Sequence, residues 1–370
     1  MSHKNKTVAV GMSGGVDSSL AVQLLQADGY NVVGLTMAIY SGEEKTAIVA
    51  GHACYGPGEE DDLRLAREVA SFLGIPHHTI DLKTEYKKTV LDYFTSEYLA
   101  GRTPNPCTRC NPRLKFGFML KKARQTGIHF DAFATGHYIR TCFDTSRNRH
   151  VLKKAIDPKK DQSYFLYALA PELLPNLLFP LGGFTKDEVR SKAAALNLPV
   201  SKRPESQDFI EGGNYAALFN SEDIAPGPIV DTDGKNLGTH KGIINYTIGQ
   251  RRGIGIAHSE PLYVIGIDAP HNTLVVGPKP HLFSDTLIAG DLHFLSSDPP
   301  ETLLPITAKI RHNHRADSAE LTILADGKAR LVFERPQLSI TPGQAVVFYD
   351  GDIVLGGGVI EKHFLNGTAA

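Results

Sequence analysis

Two short stretches hold residue types at spacings suited to chemistry: Gly11-Met12-Ser13-Gly14-Gly15-Val16-Asp17-Ser18-Ser19, and Cys107-Thr108-Arg109-Cys110. In the first, glycines let the backbone turn until several N–H groups face one anion, and serines add hydroxyl donors. Asp17 is a carboxylate suited to holding magnesium against phosphate oxygens. The second is a pair of thiols in a polar loop containing Pro104 and Pro106, just ahead of a basic helix expected from near Pro112. A thiol at a helix start beside Arg109 and Arg113 is expected to lose its proton easily. That suits a nucleophile, a sulfur carrier or a metal ligand.

The surrounding sequence supplies the elements that position both stretches. Thr7-Val8-Ala9-Val10 reads as a buried strand, and Leu20, Val22, Leu24 and Leu25 lie in a helix that stops at Gly29. The glycine loop therefore joins a strand to a helix whose start carries roughly half a positive charge. Further strands are expected at 31–39, 77–82 and 130–137, and helices at 63–73 and 86–99, with loop at 41–58. This alternation implies parallel βαβ units, whose ligands sit at the carboxyl ends of the strands. Met37 and Gly136 fall at such ends and are expected to touch the ligand of the loop. Beyond Pro204 the pattern changes to short β-like runs, including 241–248, 331–333 and 345–349, with turns at Asp326-Gly327 and Asp350-Gly351. That predicts a C-terminal β-barrel or sandwich.

With 370 residues, the chain needs two or three domains. Its 42% hydrophobic and 21% charged content is that of a soluble globular protein, and the net charge of −1 argues against a large basic surface but not against a local one. No apolar stretch is long enough to span a bilayer, and no signal-type segment precedes the first strand, so the cytoplasm is the expected location. Thiols there stay reduced, which argues against a disulfide framework for Cys54, Cys107, Cys110 and Cys142. Cys142 is expected to pack. His77 and His78, adjacent in a strand, point to opposite faces and are not a metal pair. Tyr164, Phe165 and Tyr167 are expected to pack rather than stack on bases.

The loop fits neither the Gly-x-x-x-x-Gly-Lys-Ser/Thr nor the Gly-x-Gly-x-x-Gly pattern. Its Ser-Gly-Gly-x-Asp-Ser string resembles the PP-loop of ATP pyrophosphatases, which split ATP into AMP and pyrophosphate. Over nearly its full length the chain resembles the tRNA-specific 2-thiouridylases. The resemblance rests on that loop, Gly101-Arg-Thr-Pro-Asn-Pro with Cys110-Asn111, Gly136-His137-Tyr138, Asp161-Gln162-Ser163-Tyr164, Glu205-Ser206-Gln207-Asp208 and Tyr246-Thr-Ile-Gly-Gln-Arg.

The resemblance implies an α/β PP-loop domain of the adenine-nucleotide α-hydrolase type over 1–205, a small central β-rich domain over 206–270 and a C-terminal β-barrel over 271–370. It implies a transferase that adenylates the C2 oxygen of the wobble uridine of tRNA, then exchanges it for sulfur with release of AMP. ATP would lie on Gly11, Met12, Ser13, Gly14, Gly15, Val16, Asp17, Ser18, Met37 and Gly136, with magnesium on Asp17. Cys110 matches the nucleophile, and Asn105, Pro106 and Cys107 lie where the target base is held. Asp161, Gln162 and Ser163, with His137, Arg311, His312 and Gln344, match tRNA-contacting positions. The implied partners are tRNA and a donor protein or sulfide that brings the sulfur.

Two departures matter. Cys107 stands where the family usually has aspartate, and Ser206-Gln207-Asp208 runs into Phe209-Ile210-Glu211 without the usual relay cysteine. Cys54 lies on the same ligand-facing sheet edge, so Cys54, Cys107 and Cys110 are expected to converge. Three arrangements stay open: a 4Fe–4S cluster on the three thiolates, a persulfide on Cys110 resolved by Cys107 or Cys54, and a zinc site completed by His52. Two rival functions remain: an amidating or ligating PP-loop enzyme, which needs no thiol loop, and a non-catalytic RNA-binding or sulfur-trafficking protein.

Overall fold

Val8, Ala9 and Val10 are wholly shielded from water, as expected of a small, β-branched strand covered on both faces. They form β1 (Thr7–Gly11), the middle strand of a five-stranded parallel sheet in a computed structural model that describes residues 6–42, 53–200, 208–210, 215–296 and 304–364. The chain divides into two units. The first comprises residues 1–90, 107–214 and 352–354, and the second 91–106, 215–351 and 355–370.

In the first unit, β1 is followed by β2 (Asn31–Ala38), β3 (Ala53–Tyr55), β4 (His77–Asp81), β5 (Ala132–Thr135), β6 (Ile139–Asp144), β7 (Arg149–Lys154), β8 (Leu177–Leu178) and β9 (Asp208–Ile210). The sheet order is β4-β2-β1-β5-β8, with β1 in parallel register with both β2 and β5. Helix α1 (Val16–Ala27) leaves directly from the glycine loop and packs Leu20, Val22 and Leu25 into the core with Val8 and Val10. Helix α2 (Glu59–Phe72) covers the sheet through Val69 and Ala70, and its first turn holds four acidic residues, which suit a helix start.

Three local expectations need correction. Residues 53–55, expected as loop, form β3, a short strand paired in parallel with β9: Ala53 faces Asp208 and Tyr55 faces Ile210. An edge pairing between two such short runs leaves no periodic pattern to read. The basic helix begins at Cys107 rather than Pro112, and Cys110–Phe118 is π-helical. The helix expected over 86–99 starts at Lys83 and passes through a π segment at Lys87–Leu91.

In the second unit, β10 (Gly227–Val230), β11 (Asn236–His240), β12 (Tyr263–Asp268) and β13 (Thr273–Gly277) form a sheet ordered β11-β10-β13-β12. The run 241–248 is not a strand. Gly242 takes a φ of +105°, and the Asn245 amide donates to the carbonyls of Lys241 and Gly242 at 2.9 and 3.2 Å, winding Ile243–Asn245 into a 3₁₀ turn.

The barrel contains β14 (Phe283–Phe294), β15 (Leu304–Lys309), β16 (Asp317–Ile323), β17 (Ala329–Leu338), β18 (Ala345–Asp350) and β19 (Ile353–Phe364). It runs β14-β17-β16-β15-β18-β19 and closes because β14 also pairs with β19. Alternate residues Ala319 and Leu321 on β16, and Ala329, Leu331 and Phe333 on β17, fill its interior. The turns at Asp326-Gly327 and Asp350-Gly351 place both glycines at positive φ. Among the described residues no helix is long and apolar enough to cross a membrane.

Candidate active site

At the carboxyl edge of the parallel sheet, the first unit contains a cavity of about 310 Å³. Gly11, Met12, Ser13, Asp17 and Ser18 of the loop line it, together with Met37, Gly136, Cys54, Cys110 and Lys115. Gly14 turns the loop at a φ of +67°, a conformation that strains residues with a Cβ. Gly15 then caps α1 without a side chain, while the Ser18 and Ser19 hydroxyls donate to its carbonyl at 3.2 and 2.7 Å. The start of the helix is thus kept open toward an anion. Gly14, Gly15 and Val16 shape the loop but do not line the cavity.

Gly136 is where β5 meets the loop. A Cβ there would come within 2.7 Å of the Asp17 carbonyl carbon and 2.8 Å of the Ser18 nitrogen. Beneath the loop, the Thr36 hydroxyl donates to the Met12 carbonyl at 2.9 Å and lies 2.8 Å from His77 Nε2. Because that hydroxyl's proton is committed, His77 must donate from Nε2. Burial, reinforced by Arg67 and His78, pushes the His77 pKa down to about 4, which keeps the ring neutral. His78 is exposed, so the two rings do separate.

Asp17 is already engaged. Lys186 Nζ lies 2.7 and 2.9 Å from its two carboxylate oxygens, and the Tyr138 hydroxyl donates to Oδ1 at 2.9 Å. Lys186 opens the helix Lys186–Ala195, fixed by a reciprocal cap between Thr185 and Glu188. The sequence reading missed Lys186 and the Tyr138 hydroxyl. The signal available was Thr185-x-x-Glu188 with a cation in the first helical turn, where the dipole disfavours it.

Cys54 and Cys110 share the cavity, while Cys107 lies in the short helical turn Cys107–Arg109 outside its lining. The thiols are not acidified as expected. Burial pushes Cys107 up to about 12, with Cys54 and Cys110 adding to the shift, and pushes Cys110 up to about 11 against the pull of Lys115. Cys54 has an exposed edge, yet the surrounding protein raises its thiol too, with Asp62 adding and Lys115 opposing. Loss of solvation outweighs the nearby cation because the thiols are set into the protein rather than on a wet loop. Tyr86 is 1% exposed, lines the same cavity and lies in the electrostatic field of all three cysteines. Cys142 does not pack: it is exposed on β6.

His137 and Gln162 also line the cavity. Burial, then Lys115, pushes the His137 pKa well down, so its ring is neutral. Asp161 and Ser163 are buried: the Ser163 hydroxyl donates to Asp161 at 2.7 Å, and the Ala155 amide donates to the same carboxylate at 3.0 Å. These side chains hold the turn that presents Gln162, whose Oε1 accepts from the Tyr138 amide at 2.8 Å. Tyr164 and Tyr167 are buried, as expected of packing residues.

The second unit holds the remaining candidates. Asn105 and Pro106 are half-buried, and Thr103 in the same segment accepts through its carbonyl from Gln344 Nε2 at 2.8 Å. Arg311 donates to the Ile248 carbonyl at 3.1 Å and to the Thr341 hydroxyl, beside half-buried His312. His52, Ser206 and Gln207 lie outside the described residues.

The domain model described as "tRNA methyl transferase HUP domain" matches residues 6–211, "tRNA methyl transferase PRC-barrel domain" matches 218–278, and "Aminomethyltransferase beta-barrel domain" matches 284–360. The chain is 46% identical over 363 residues to "tRNA-specific 2-thiouridylase MnmA 2" of Thermoanaerobacter sp. (strain X514), covering 97% of this chain and 98% of that protein. The chain belongs to the MnmA tRNA-specific 2-thiouridylase family. The MnmA of Acetivibrio thermocellus is 47% identical over 362 residues, covering 96% of this chain and 99% of the relative. That of Geotalea uraniireducens is 46% identical over 373 residues, covering all of this chain and 98% of the relative. MnmA membership agrees with the parallel-sheet domain, the central β domain and the closed barrel.

Proposed function

We propose that this protein is a tRNA-uridine 2-sulfurtransferase that uses ATP to replace the C2 oxygen of the wobble uridine with sulfur. The observation that carries the reading is one cavity lined both by a phosphate-type loop and by the Cys110 thiol. ATP bound at the loop transfers its adenylyl group to the C2 oxygen and pyrophosphate leaves. Sulfur carried on Cys110 as a persulfide, supplied as sulfane sulfur by a donor protein's persulfide or by polysulfide, then attacks C2 and AMP departs. Cys107 or Cys54 opens the resulting sulfur–sulfur bridge, leaving sulfur on C2 and a protein disulfide that an external dithiol reduces.

The donor sets bear on which metals fit. Among the described residues no group of three His, Cys, Asp or Glu side chains converges at metal-binding spacing. As arranged, Cys54, Cys107 and Cys110 therefore do not fit a 4Fe–4S cluster, and no step is routed through one. Asp17 does not fit a magnesium ligand either, because the Lys186 ammonium sits against both of its oxygens.

The tRNA-contacting residues of the first unit are read as Cys107, His137 and Gln162, with Asp161 and Ser163 acting from below; those of the second unit are read as Asn105, Pro106, Arg311, His312 and Gln344. The enzyme is read as a cytoplasmic one. Incubating the protein with unmodified tRNA, ATP and inorganic polysulfide should yield AMP, pyrophosphate and 2-thiouridine in equal amounts. Pyrophosphate release without dependence on tRNA, or a thiolated nucleoside formed without ATP, would refute the reading.

A further inference from the structure

The cavity's charge is unbalanced. Its lining carries the carboxylates of Asp17, Glu59 and Asp62, and one cation, Lys115. Lys186 neutralises Asp17, and Glu59 accepts from the Ile39 and Tyr40 amides at 2.6 and 3.1 Å. Lys115, half-buried, makes no hydrogen bond or ion pair with any described residue. It stands five residues after Cys110 in the same π-helix, whose i→i+5 bonding sets such residues on adjacent turns. Both line the cavity, with Cys54, Tyr86 and neutral His137 facing them from other elements. One cation thus serves the phosphate loop through Asp17, and a second travels with the thiol.

We propose that Lys115 is a catalytic residue of the sulfur-insertion step, its ammonium holding the phosphate of AMP as that group leaves C2. This assignment rests on the activity proposed above. In the adenylated intermediate the phosphate is bonded to the C2 oxygen, so it lies within two bonds of the carbon that the Cys110-borne sulfur attacks. A cation beside Cys110 therefore meets that phosphate during this step. The persulfide anion's electron pair forms the S–C2 bond, and the C2–O bond breaks. Its pair goes to the AMP oxygen, whose phosphate gains one negative charge. No proton transfer is needed, but the charge must be met in a cavity already acidic. An internal carboxylate partner would compete with the phosphate, and Lys115 has none among the described residues.

The test separates the two half-reactions in single turnover, with unmodified tRNA, ATP and inorganic polysulfide. For Lys115→Met the expectation is tRNA affinity and pyrophosphate release within about threefold of wild type. Thiolation should be slower by about a hundredfold or more, with AMP accumulating on tRNA. Lys115→Arg, which keeps the charge, should recover to within about tenfold of wild type. Thiolation by Lys115→Met at the wild-type rate would overturn the assignment, as would pyrophosphate release falling in parallel with it. Should Lys115→Met fail to fold, Lys115→Gln against Lys115→Arg makes the same comparison. A wild-type enzyme that never adenylates tRNA refutes the underlying activity instead, visible in the pyrophosphate arm alone.

Discussion

The Lys186 ammonium lies 2.7 and 2.9 Å from the two carboxylate oxygens of Asp17, bridging residues 169 positions apart. Asp17 sits in the first turn of α1, and Lys186 in the first turn of a helix placed by its own cap. The pair therefore ties the phosphate loop to a helix that shares a core cluster with α1. Lys186 is 9% exposed and Asp17 31% exposed at the side chain, so the pair is only partly screened by solvent. Lys186→Met leaves Asp17 with the Tyr138 hydroxyl alone. The expected loss is about 1–3 kcal/mol in urea unfolding, below the full cost of a deeply buried pair. ATP-dependent pyrophosphate release should fall at least about tenfold, because the loop loses the tether that orients it.

Gly136 tests the loop's fit from the other side. Alanine would place a methyl group within 2.7 Å of backbone that cannot rotate away. Gly136→Ala is expected to weaken binding of a non-hydrolysable ATP analogue by at least about tenfold and to cost about 1–3 kcal/mol of stability. Calorimetric titration checks the first and denaturant unfolding the second. An analogue bound with wild-type affinity would show that the loop yields at Asp17.

The nucleotide wall was legible because glycine, serine and aspartate at fixed offsets between a strand and a helix have a local physical meaning. The barrel was legible because the short β-like runs at 331–333 and 345–349, and the turn signals at Asp326-Gly327 and Asp350-Gly351, are local too. The tether was not: Lys186 reaches Asp17 only after the sheet has formed, and no local pattern encodes that meeting. The thiol acidity was misjudged for the same reason. Arg109 and Arg113 are visible neighbours in the chain, whereas the desolvation that dominates comes from residues brought in by the fold. Asp161 and Ser163 match tRNA-contacting positions by resemblance, but in the fold they are buried and satisfy each other.

His77 sets a pH dependence of stability. Its folded pKa, about 4, lies below the ordinary histidine value of 6.5, so between these values the unfolded chain binds more protons. Stability is therefore full above pH 6.5 and declines as the pH falls toward 4. The contribution at stake is roughly 2 kcal/mol, allowing for partial exposure of the ring. Urea unfolding at pH 7 and pH 5 should show a smaller difference for His77→Asn than for wild type. An equal difference would place the titration elsewhere.

Cys54 and Cys142 are both exposed, yet they should behave oppositely. Cys54 lies in β3, where the next residue, Tyr55, registers with Ile210 of β9. That strand begins at Asp208, the last residue of the Ser-Gln-Asp stretch after which the family usually carries its relay cysteine. Pairing with β9 thus returns a thiol to the neighbourhood from which one is missing, and Cys54 lines the cavity with Cys110. Cys142 stands on β6 outside that lining. Cys110→Ser and Cys54→Ser are expected to reduce 2-thiouridine formation on the order of a hundredfold while tRNA-dependent pyrophosphate release continues. Cys142→Ser should match wild type in both. Nucleoside analysis of tRNA from a deletion strain carrying each variant reads the result. Full thiolation by Cys54→Ser would assign the resolving thiol to Cys107 alone.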